Sequence, residues 1–434
     1  MSGQDELLNR PVLSWAFYDW ANSAFATTVI AGFFPVFFKQ YWAAEQSASE
    51  STFYLGLFNA IASLVIVVLA PFLGAMADHL SQRKKFLFVF AMLGILMTAG
   101  LSLVAQGAWL TALLLYLFAV IGFSGSNIFY DALILNVTSL KKVDSVSSLG
   151  FAMGYLGGGI LFAINIVMVT WPQWFGLADA SQAVKASFVT VAVWWALFSV
   201  PVLLFVKEEP RSSSLQGSAL SAAYINVVLT LKQIMRLKTT FLFLVAYWFY
   251  IDGVDTIIRM AVDFGLSVGL DSNGLLAALL LTQFVGFPAA IVFGKLGERK
   301  GPKFGISVCL GVYVLIVLWA WQLNEQWEFY LLALAVGLVQ GGIQSLSRSL
   351  YSRLVPVKQK AEFFGFYNML GKFAAVLGPL LVGSIALLTN DPRSGILSVL
   401  VLFAIGGFLL AKVDVSQGTE DAASFILKTP VSVK

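Results

Sequence analysis

Acidic and basic side chains lie within stretches of the sequence that are otherwise apolar. Asp252, Asp255 and Arg259 follow one another at i, i+3 and i+7, the spacing that places side chains on one face of a helix. Asp252 and Asp255 lie roughly 18–22 Å from the start of an apolar stretch at residues 240–266, near the midplane of a bilayer core about 30 Å thick. Charges inside a bilayer are costly unless they are paired or face water, so these residues indicate a path for a polar solute or an ion.

The first apolar stretch contains a similar group. Asp19-x-x-Asn22-Ser23 has the same spacing as Asp252-x-x-Asp255-Thr256. Asp131 and Lys372 are further charged residues within apolar stretches. Aromatic residues close to these charges, which could close over a bound solute, are Tyr18, Trp248 and Tyr250.

If the solute were a small zwitterion, these charged residues could bind its two ends. Arg259 or Lys372 would hold its carboxylate, and Asp252 or Asp255 would hold its ammonium group. Any of the four aspartates could carry a coupled proton, because burial disfavours the charged form of a carboxyl group. The residues favour a proton over sodium as the coupling ion and leave the choice open. Four structural alternatives remain. Asp255 and Arg259 could form an ion pair that neutralises both charges, and Asp19 could make a helix-packing or gate contact. Asp131 could be structural because it is close to the end of its span, and Lys372 could extend to the membrane surface.

The elements that must position these residues are membrane-spanning helices. The chain has 434 residues, of which 59% are hydrophobic and 12% charged, whereas soluble domains carry roughly 25% charged residues. This composition predicts an all-α membrane protein and excludes an ordinary soluble enzyme. Cys309 and His79 are the only cysteine and histidine, so neither a metal site nor a cofactor is expected. We predict twelve spans, at residues 12–38, 53–77, 86–105, 109–137, 147–170, 185–206, 240–266, 274–294, 304–322, 328–350, 363–388 and 395–411.

The distribution of basic residues predicts the orientation of these spans. Of the 27 lysines and arginines, 21 fall on one side, three on the other and three inside or at the edge of spans. Basic loops stay in the cytoplasm, so both termini are expected there. The basic residues form no patch with aromatic residues, which argues against a nucleic-acid partner. The expected partners are a small-molecule substrate and membrane lipids, and a monomer is expected.

The two halves of the chain repeat each other. Gly74-x-x-x-Asp78 after span two matches Gly294-x-x-x-Glu298 after span eight, and basic residues follow both. Gly150-Phe151 and Gly365-Phe366 match at a separation of 215 residues. Such a repeat is typical of transporters with two six-helix halves around a midplane site. The predicted division is an N-terminal bundle at 1–206, a cytoplasmic linker with a surface helix at 207–238, a C-terminal bundle at 239–411 and a cytoplasmic tail at 412–434.

The sequence resembles the major facilitator superfamily. The segments G-A-M-A-D-H-L-S-Q-R-K-K (74–85) and G-K-L-G-E-R-K-G-P-K (294–303) are similar to its signature loops, although His79-Leu80-Ser81 follows Asp78 where a basic residue and glycine are usual. Within the superfamily, W-A-F-Y-D-W-A-N-S-A-F-A-T-T (15–28) resembles the vacuole-effluxer-like branch, as do Y-I-D-G-V-D-T-I (250–257), G-F-A-M-G-Y-L-G-G (150–158) and E-F-F-G-F-Y-N (362–368).

The resemblance implies a fold and an activity. It implies twelve transmembrane helices in two pseudo-symmetric six-helix bundles, and secondary active transport by alternating access across a bacterial inner membrane. Fungal members of the branch export amino acids from the vacuole, which implies an amino acid or a similar zwitterion as the substrate. The loop charges would form contacts in one conformation and lose them in the other. The expected gating residues are Asp78, Arg83, Lys84, Glu298, Arg299 and Lys300.

Two other functions remain open at this point. Efflux of amphipathic compounds or lipids would need an aromatic-rich cavity with a lateral opening. A sensor that does not transport would need an output domain, for which the short loops and the tail at 412–434 leave little room. The sequence gives neither the substrate, nor the direction of transport, nor the coupling ion.

Overall fold

The fold is helical throughout the described part of the chain. The computed structural model describes residues 9–46, 48–80, 82–208, 219–356, 360–389 and 391–425, and none of these residues is in a strand. The helices are α1 Arg10–Trp42, α2 Ala48–Leu80, α3 Arg83–Leu101, α4 Trp109–Val137, α5 Val143–Thr170, α6 Ala180–Phe205, α7 Ala219–Arg236, α8 Lys238–Ser267, α9 Ser272–Lys300, α10 Pro302–Ala320, α11 Gln326–Arg353, α12 Lys360–Thr389, α13 Arg393–Ala411 and α14 Val415–Ser424.

Ten of these helices are long and apolar enough to cross a membrane: α1, α3 to α6, α8 to α11 and α13. Two others, α2 and α12, have 33 and 30 residues and contain the shorter apolar stretches Leu57–Ala70 and Leu377–Ala386. They take the places of predicted spans two and eleven. The predicted fold class, an all-α membrane protein, is confirmed, with ten helices in the described part meeting both criteria where twelve were expected.

Helix α1, which carries Asp19 and Asn22, changes its winding along its length. It begins at Arg10, where the side chain of Asn9 accepts a hydrogen bond from the backbone N–H of Val12 at 2.9 Å. Residues Arg10–Ala24 form an α-helix, whereas Phe25–Phe33 and Phe38–Trp42 are wound as a π-helix. The candidate residues on α1 therefore lie in its regular part.

The helices on either side of α7 pack into two groups that also meet each other. Among the N-terminal helices, α1 to α6, α1 packs on α5 and α6, while α4 packs on α2 and α3. Among the C-terminal helices, α8 to α13, α8 packs on α12 and α13, while α11 packs on α9 and α10. Between the groups, α5 packs on α9 and α11, and α12 packs on α2 and α4. The predicted division at residues 206 and 239 stays a prediction.

The start of α1 and the end of α13 lie at one end of the bundle. The guanidinium of Arg10 at the start of α1 lies 3.6 Å from the centre of the Phe205 ring at the end of α6. The ammonium of Lys303 at the start of α10 donates to the carbonyls of Ala411 and Val413, at 2.8 and 2.7 Å. We call this end of the bundle, which carries Arg10 and Lys303, the basic face.

Candidate functional site

A buried arginine joins the two groups of helices. Arg348 on α11 is 3% exposed. Its NH1 donates to Oδ1 of Asp131 on α4 at 3.0 Å and lies 3.8 Å from Oδ2 of Asp19 on α1. Its Nε and NH2 donate to the hydroxyl and the carbonyl of Ser147 on α5, at 2.9 and 2.8 Å. One guanidinium from the C-terminal helices is therefore held by three of the N-terminal helices.

Aromatic rings enclose this guanidinium. The Cζ atom of Arg348 lies 4.3 Å from the ring centre of Phe151, 4.9 Å from that of Trp15 and 5.5 Å from that of Tyr130. Trp15 and Tyr130 stack on each other with 4.4 Å between their ring centres. The Tyr130 hydroxyl donates to Oδ2 of Asp19 at 2.8 Å. The π faces of the rings attract the cation and so stabilise a charge that is shielded from water.

A cavity of about 220 Å³ opens beside Arg348. Since liquid water takes about 30 Å³ per molecule, this volume suits a small solute. On its wall, Nδ2 of Asn368 donates to Oδ2 of Asp131 at 3.1 Å. Residues from both groups of helices line the cavity: Asp131, Phe151, Tyr247, Ile251, Asp255, Gln344, Arg348, Tyr367, Asn368 and Gly371.

The three predicted residues on α8 lie in different surroundings. Asp255 lines the cavity. Asp252 is 1% exposed and accepts a hydrogen bond from the backbone N–H of Gly378 on α12 at 2.9 Å. Arg259 is exposed. They share one side of α8 but span about 10 Å along its axis, and α12 covers only part of that length. The structure therefore brings Asp255 to the cavity and leaves Asp252 and Arg259 outside its lining.

The predicted residues of α1 also lie in different surroundings. Asp19 joins the buried network through Arg348 and Tyr130. Asn22 is 2% exposed, and its Nδ2 donates to Oδ1 of Asn127 on α4 at 2.6 Å. Tyr18 is fully buried, with its ring 5.2 Å from that of Tyr130. Asn22 and Tyr18 thus pack among the N-terminal helices, and the cavity lining includes neither of them.

Among the remaining candidates, Asp131 lines the cavity, whereas the described residues Tyr250 and Trp248 do not. Tyr250 is buried, and its hydroxyl shares a hydrogen bond of 2.7 Å with Ser347 on α11. Trp248 is half-buried, with its ring 5.2 Å from that of Phe249. Lys372 belongs to α12, but its side chain lies outside the described residues.

The basic face is closed by polar contacts between the two groups of helices. The carboxylate of Asp144 at the start of α5 is 0% exposed and accepts hydrogen bonds from Arg353 and Ser349 at the end of α11. Deeper in the bundle, Ser148 donates to the Ser345 hydroxyl at 3.0 Å. These contacts form a seam between α5 and α11 at the basic face.

The six predicted gating residues have different roles in this closed arrangement. Glu298 at the end of α9 pairs with Lys142 before α5, at 3.5 Å, and so crosses between the groups. Arg83 donates to Oδ1 of Asn136 at 3.3 Å, among the N-terminal helices. Lys84 likewise donates to the carbonyl of Leu203, at 2.9 Å.

The other three predicted gating residues are Arg299, Lys300 and Asp78. Arg299 and Lys300 are exposed, and the ammonium of Lys300 lies 4.9 Å from the ring centre of Phe304. The side chain of Asp78 lies outside the described residues. The gating assignment as a whole stays a prediction.

Sequence reasoning did not select Arg348, Asp144 or Arg353. All three lie near predicted span ends, where a charged side chain is expected to reach the interface. One signal was available for Arg348. At the repeat separation of 215 residues, Asp131 corresponds to position 346, within one helical turn of Arg348. Opposite charges at matching depths of spans four and ten could have indicated the ion pair between Asp131 and Arg348.

Comparison with known proteins gives the family. The model of the family described as vacuole effluxer Atg22 like matches residues 46–423. An uncharacterized MFS-type transporter of Bacillus subtilis, YxiO, is 40% identical over 423 residues, which are 94% of this chain and 97% of that protein. Autophagy-related protein 22 of Coccidioides immitis is 24% identical over 538 residues, covering 95% of this chain and 88% of that protein.

Solved structures show the same fold. The human organic anion transporter MFSD10 superposes with a TM-score of 0.71 at 14% identity and covers 92% of this chain and 99% of that one. The transporter FucP in its outward conformation gives 0.67 at 12% identity, over 94% and 99%. The relatives and the neighbours in structure are transporters, not enzymes. The chain therefore belongs to the vacuole effluxer Atg22-like family, and it is a membrane transporter of the major facilitator superfamily.

Proposed function

We propose that the chain moves a small zwitterion, such as an amino acid, by alternating access and with a proton as the coupling ion. The observation that carries the proposal is the cavity of about 220 Å³ that contains Arg348, Asp131 and Asp255. A guanidinium pairs with a carboxylate through two parallel hydrogen bonds. An aspartate across the cavity can hold an ammonium group. The two ends of an amino acid thus find complementary charges within one small cavity.

The charge balance of the network supports proton coupling. Asp19 and Asp131 share the single guanidinium of Arg348, so the three groups carry one net negative charge when all are ionised. A substrate carboxylate that bound Arg348 would compete with Asp131 for the same NH1 atom. The displaced carboxyl group would take up a proton, because an unpaired charge is costly in this surrounding. Substrate and proton would then bind together.

Transport in proteoliposomes tests this proposal. We expect the purified protein to accumulate at least one radiolabelled amino acid when a pH gradient is imposed. Asp131→Asn should still exchange that amino acid between the two sides but should no longer accumulate it, because the amide cannot take up a proton. Accumulation by Asp131→Asn at the wild-type level would contradict the coupling role, and failure of every amino acid tested would contradict the substrate class.

Efflux of amphipathic compounds or lipids is the second candidate function. It is favoured by a second cavity, of about 90 Å³, that is lined almost entirely by apolar side chains of α8 to α11 and includes Phe264 and Phe329. The same proteoliposomes loaded with a lipophilic fluorescent dye distinguish the two candidates. Transport of the dye without transport of any amino acid would favour efflux of amphipathic compounds.

We also propose that the basic face is cytoplasmic, in a bacterial inner membrane, and that the protein works as a monomer. The start of α1 and the end of α13 lie at that face, which supports the first point, as does the excess of basic loops. A fluorescent protein fused after Lys434 should therefore be bright, and an alkaline phosphatase fused there should be inactive. The reverse pair of results would contradict the orientation.

A further inference from the structure

The cavity beside Arg348 contains an amide whose N–H donors are not used. Gln344 on α11 lines this cavity about one helical turn before Arg348. In the part of the chain that the structure describes, its Nε2 atom donates to no acceptor. The other amide of the lining, on Asn368, donates both to Oδ2 of Asp131 and to the carbonyl of Phe364. Gln344 therefore keeps its donors for a solute, whereas those of Asn368 are already bound.

Tyr155 on α5 fixes the orientation of this amide. Tyr155 is 8% exposed, and its hydroxyl donates to Oε1 of Gln344 at 3.2 Å. The oxygen and the nitrogen lie on opposite sides of a planar amide group, so Nε2 points away from the hydroxyl when Oε1 accepts from it. Because Gln344 lines the cavity, the donors that point away from Tyr155 are available to a solute there.

Two glycines hold the ring of Tyr155 in place. A Cβ atom at Gly286 on α9 would lie 3.0 Å from Cγ of this ring, and one at Gly341 on α11 would lie 2.7 Å from Cε2. Carbon atoms in ordinary contact lie about 3.5–4.0 Å apart, so only glycine leaves room for the ring at these two positions. Gly341 and Gln344 lie within one turn of the same helix. The ring is therefore seated against the helix that carries the amide.

We propose that Gln344 binds the carboxylate of the substrate together with Arg348, with Tyr155 as the residue that positions its amide. The proposal rests on the zwitterionic substrate proposed above and adds a second donor group to its binding site. Three of the five N–H groups of the Arg348 guanidinium bind Asp131 and Ser147, so two remain for a ligand. A carboxylate has about four acceptor sites. The amide of Gln344 supplies donors that this guanidinium lacks.

The hydrogen bond that positions the amide crosses between the two groups of helices. Tyr155 belongs to α5 in the N-terminal group, and Gln344 belongs to α11 in the C-terminal group. Once these helices separate, the amide can also turn its oxygen toward the cavity, and that oxygen repels a carboxylate. The preference for a carboxylate is therefore tied to the arrangement in which α5 and α11 touch.

Thermal unfolding of the purified full chain with matched ligands tests this assignment. The common amino acids are screened first, and the one that raises the Tm of the wild type most is compared with its carboxamide. Both ligands keep an ammonium group at about pH 6.5, so they differ only in the carboxylate. We expect the ratio of their Kd values, carboxamide over amino acid, to fall about tenfold in Gln344→Leu and about threefold in Tyr155→Phe, because a hydrogen bond to a charged group is stronger than one to a neutral group.

The ratio separates a donor role from a structural one. A variant that only shifts the equilibrium between conformations changes both Kd values by the same factor and leaves their ratio unchanged. Tyr116→Phe is the matched control, since it removes the hydroxyl of another buried tyrosine, which donates to Asn59 among the N-terminal helices. It should keep the wild-type ratio. Gln344→Leu combined with Tyr155→Phe should match Gln344→Leu alone, because the tyrosine acts through the amide.

The outcomes separate this proposal from the proposed function. If no amino acid raises the wild-type Tm, the zwitterionic substrate is wrong, and Gln344 has no carboxylate to bind. If an amino acid raises it but Gln344→Leu or Tyr155→Phe keeps the wild-type ratio, this assignment alone is overturned. An equal fall of the ratio in Tyr116→Phe and Tyr155→Phe would also overturn it. If Gln344→Leu does not elute as a folded protein from gel filtration, the ratio in Tyr155→Phe decides.

Discussion

Replacing Arg348 with lysine is expected to lower the transport rate about 100-fold while the protein still folds and inserts. Lysine keeps the positive charge but not the planar fork of donors, which serves Asp131 through NH1 and Ser147 through Nε and NH2. Losing these charge-assisted hydrogen bonds costs about 3 kcal/mol, which corresponds to ~100-fold. The measurement is the initial rate of transport in proteoliposomes at equal protein density.

Arg353→Lys is the matched control for this substitution. Arg353 lies at the end of the same helix, and its guanidinium pairs with Asp144 of the N-terminal helices through NH2. An ammonium group can replace a single donor of this kind, so Arg353→Lys should keep most of the wild-type rate. Equal rates in both variants and the wild type would contradict the role of the guanidinium geometry at position 348.

The second large effect is expected at Asp144, where asparagine should open the basic face. Asp144 is fully buried and receives hydrogen bonds from Ser349 and Arg353. Removing one member of a buried charge pair costs about 3–5 kcal/mol, because the remaining charge is left unpaired. The contact exists only while α5 and α11 touch. Its loss therefore shifts the equilibrium away from the closed arrangement of this face.

Cysteine labelling measures this opening. Ser148 is 1% exposed in the closed seam, so Ser148→Cys, in a background with the buried native cysteine removed by Cys309→Ala, is a reporter of access. A polar maleimide should label it at least about tenfold faster when Asp144→Asn is present. The control is Glu298→Gln, which removes a partly exposed pair worth less than about 1 kcal/mol. Slow labelling in the Asp144→Asn protein would show that this contact does not hold the face closed.

Much of the fold could be predicted from the sequence, because the bilayer makes long apolar stretches helical. Predicted span four, 109–137, coincides with α4 at Trp109–Val137, since Gln106 and Gly107 precede it and polar residues with two lysines follow it. The starts of other helices were placed too late. Helix α5 begins at Val143 where span five was predicted from residue 147, because its first turn carries Asp144, which a hydropathy argument assigns to a loop.

The candidate site could be predicted only in part, because it depends on which helices meet. Asp19, Asp131 and Asp255 were selected from their depth in apolar stretches, and the structure places all three in or beside the cavity network. Helical spacing also grouped Asp252 and Arg259 with Asp255. Spacing defines one side of a helix but not the neighbour that covers it, and here Gly378 of α12 covers Asp252.

Arg348 is a site residue that the sequence alone did not indicate. Its position near the end of span ten suggests an interfacial residue, and its burial results from α1, α4 and α5 closing over it. Those contacts join residues more than 200 positions apart. A single sequence gives no distance information across such separations, so the central cation of the network is found only when the helices are assembled.

The seam between α5 and α11 is expected to open when a solute binds beside Arg348. The most direct test is a distance measured between spin labels on the exposed residues Lys141 and Arg299, which belong to the N-terminal and C-terminal groups of helices and lie beside the Lys142–Glu298 pair at the basic face. In the wild type, addition of the transported solute should add a population at longer distance, and Arg348→Lys should not show this change. A distance distribution that the solute leaves unchanged in the wild type, or that changes equally in Arg348→Lys, would contradict the account.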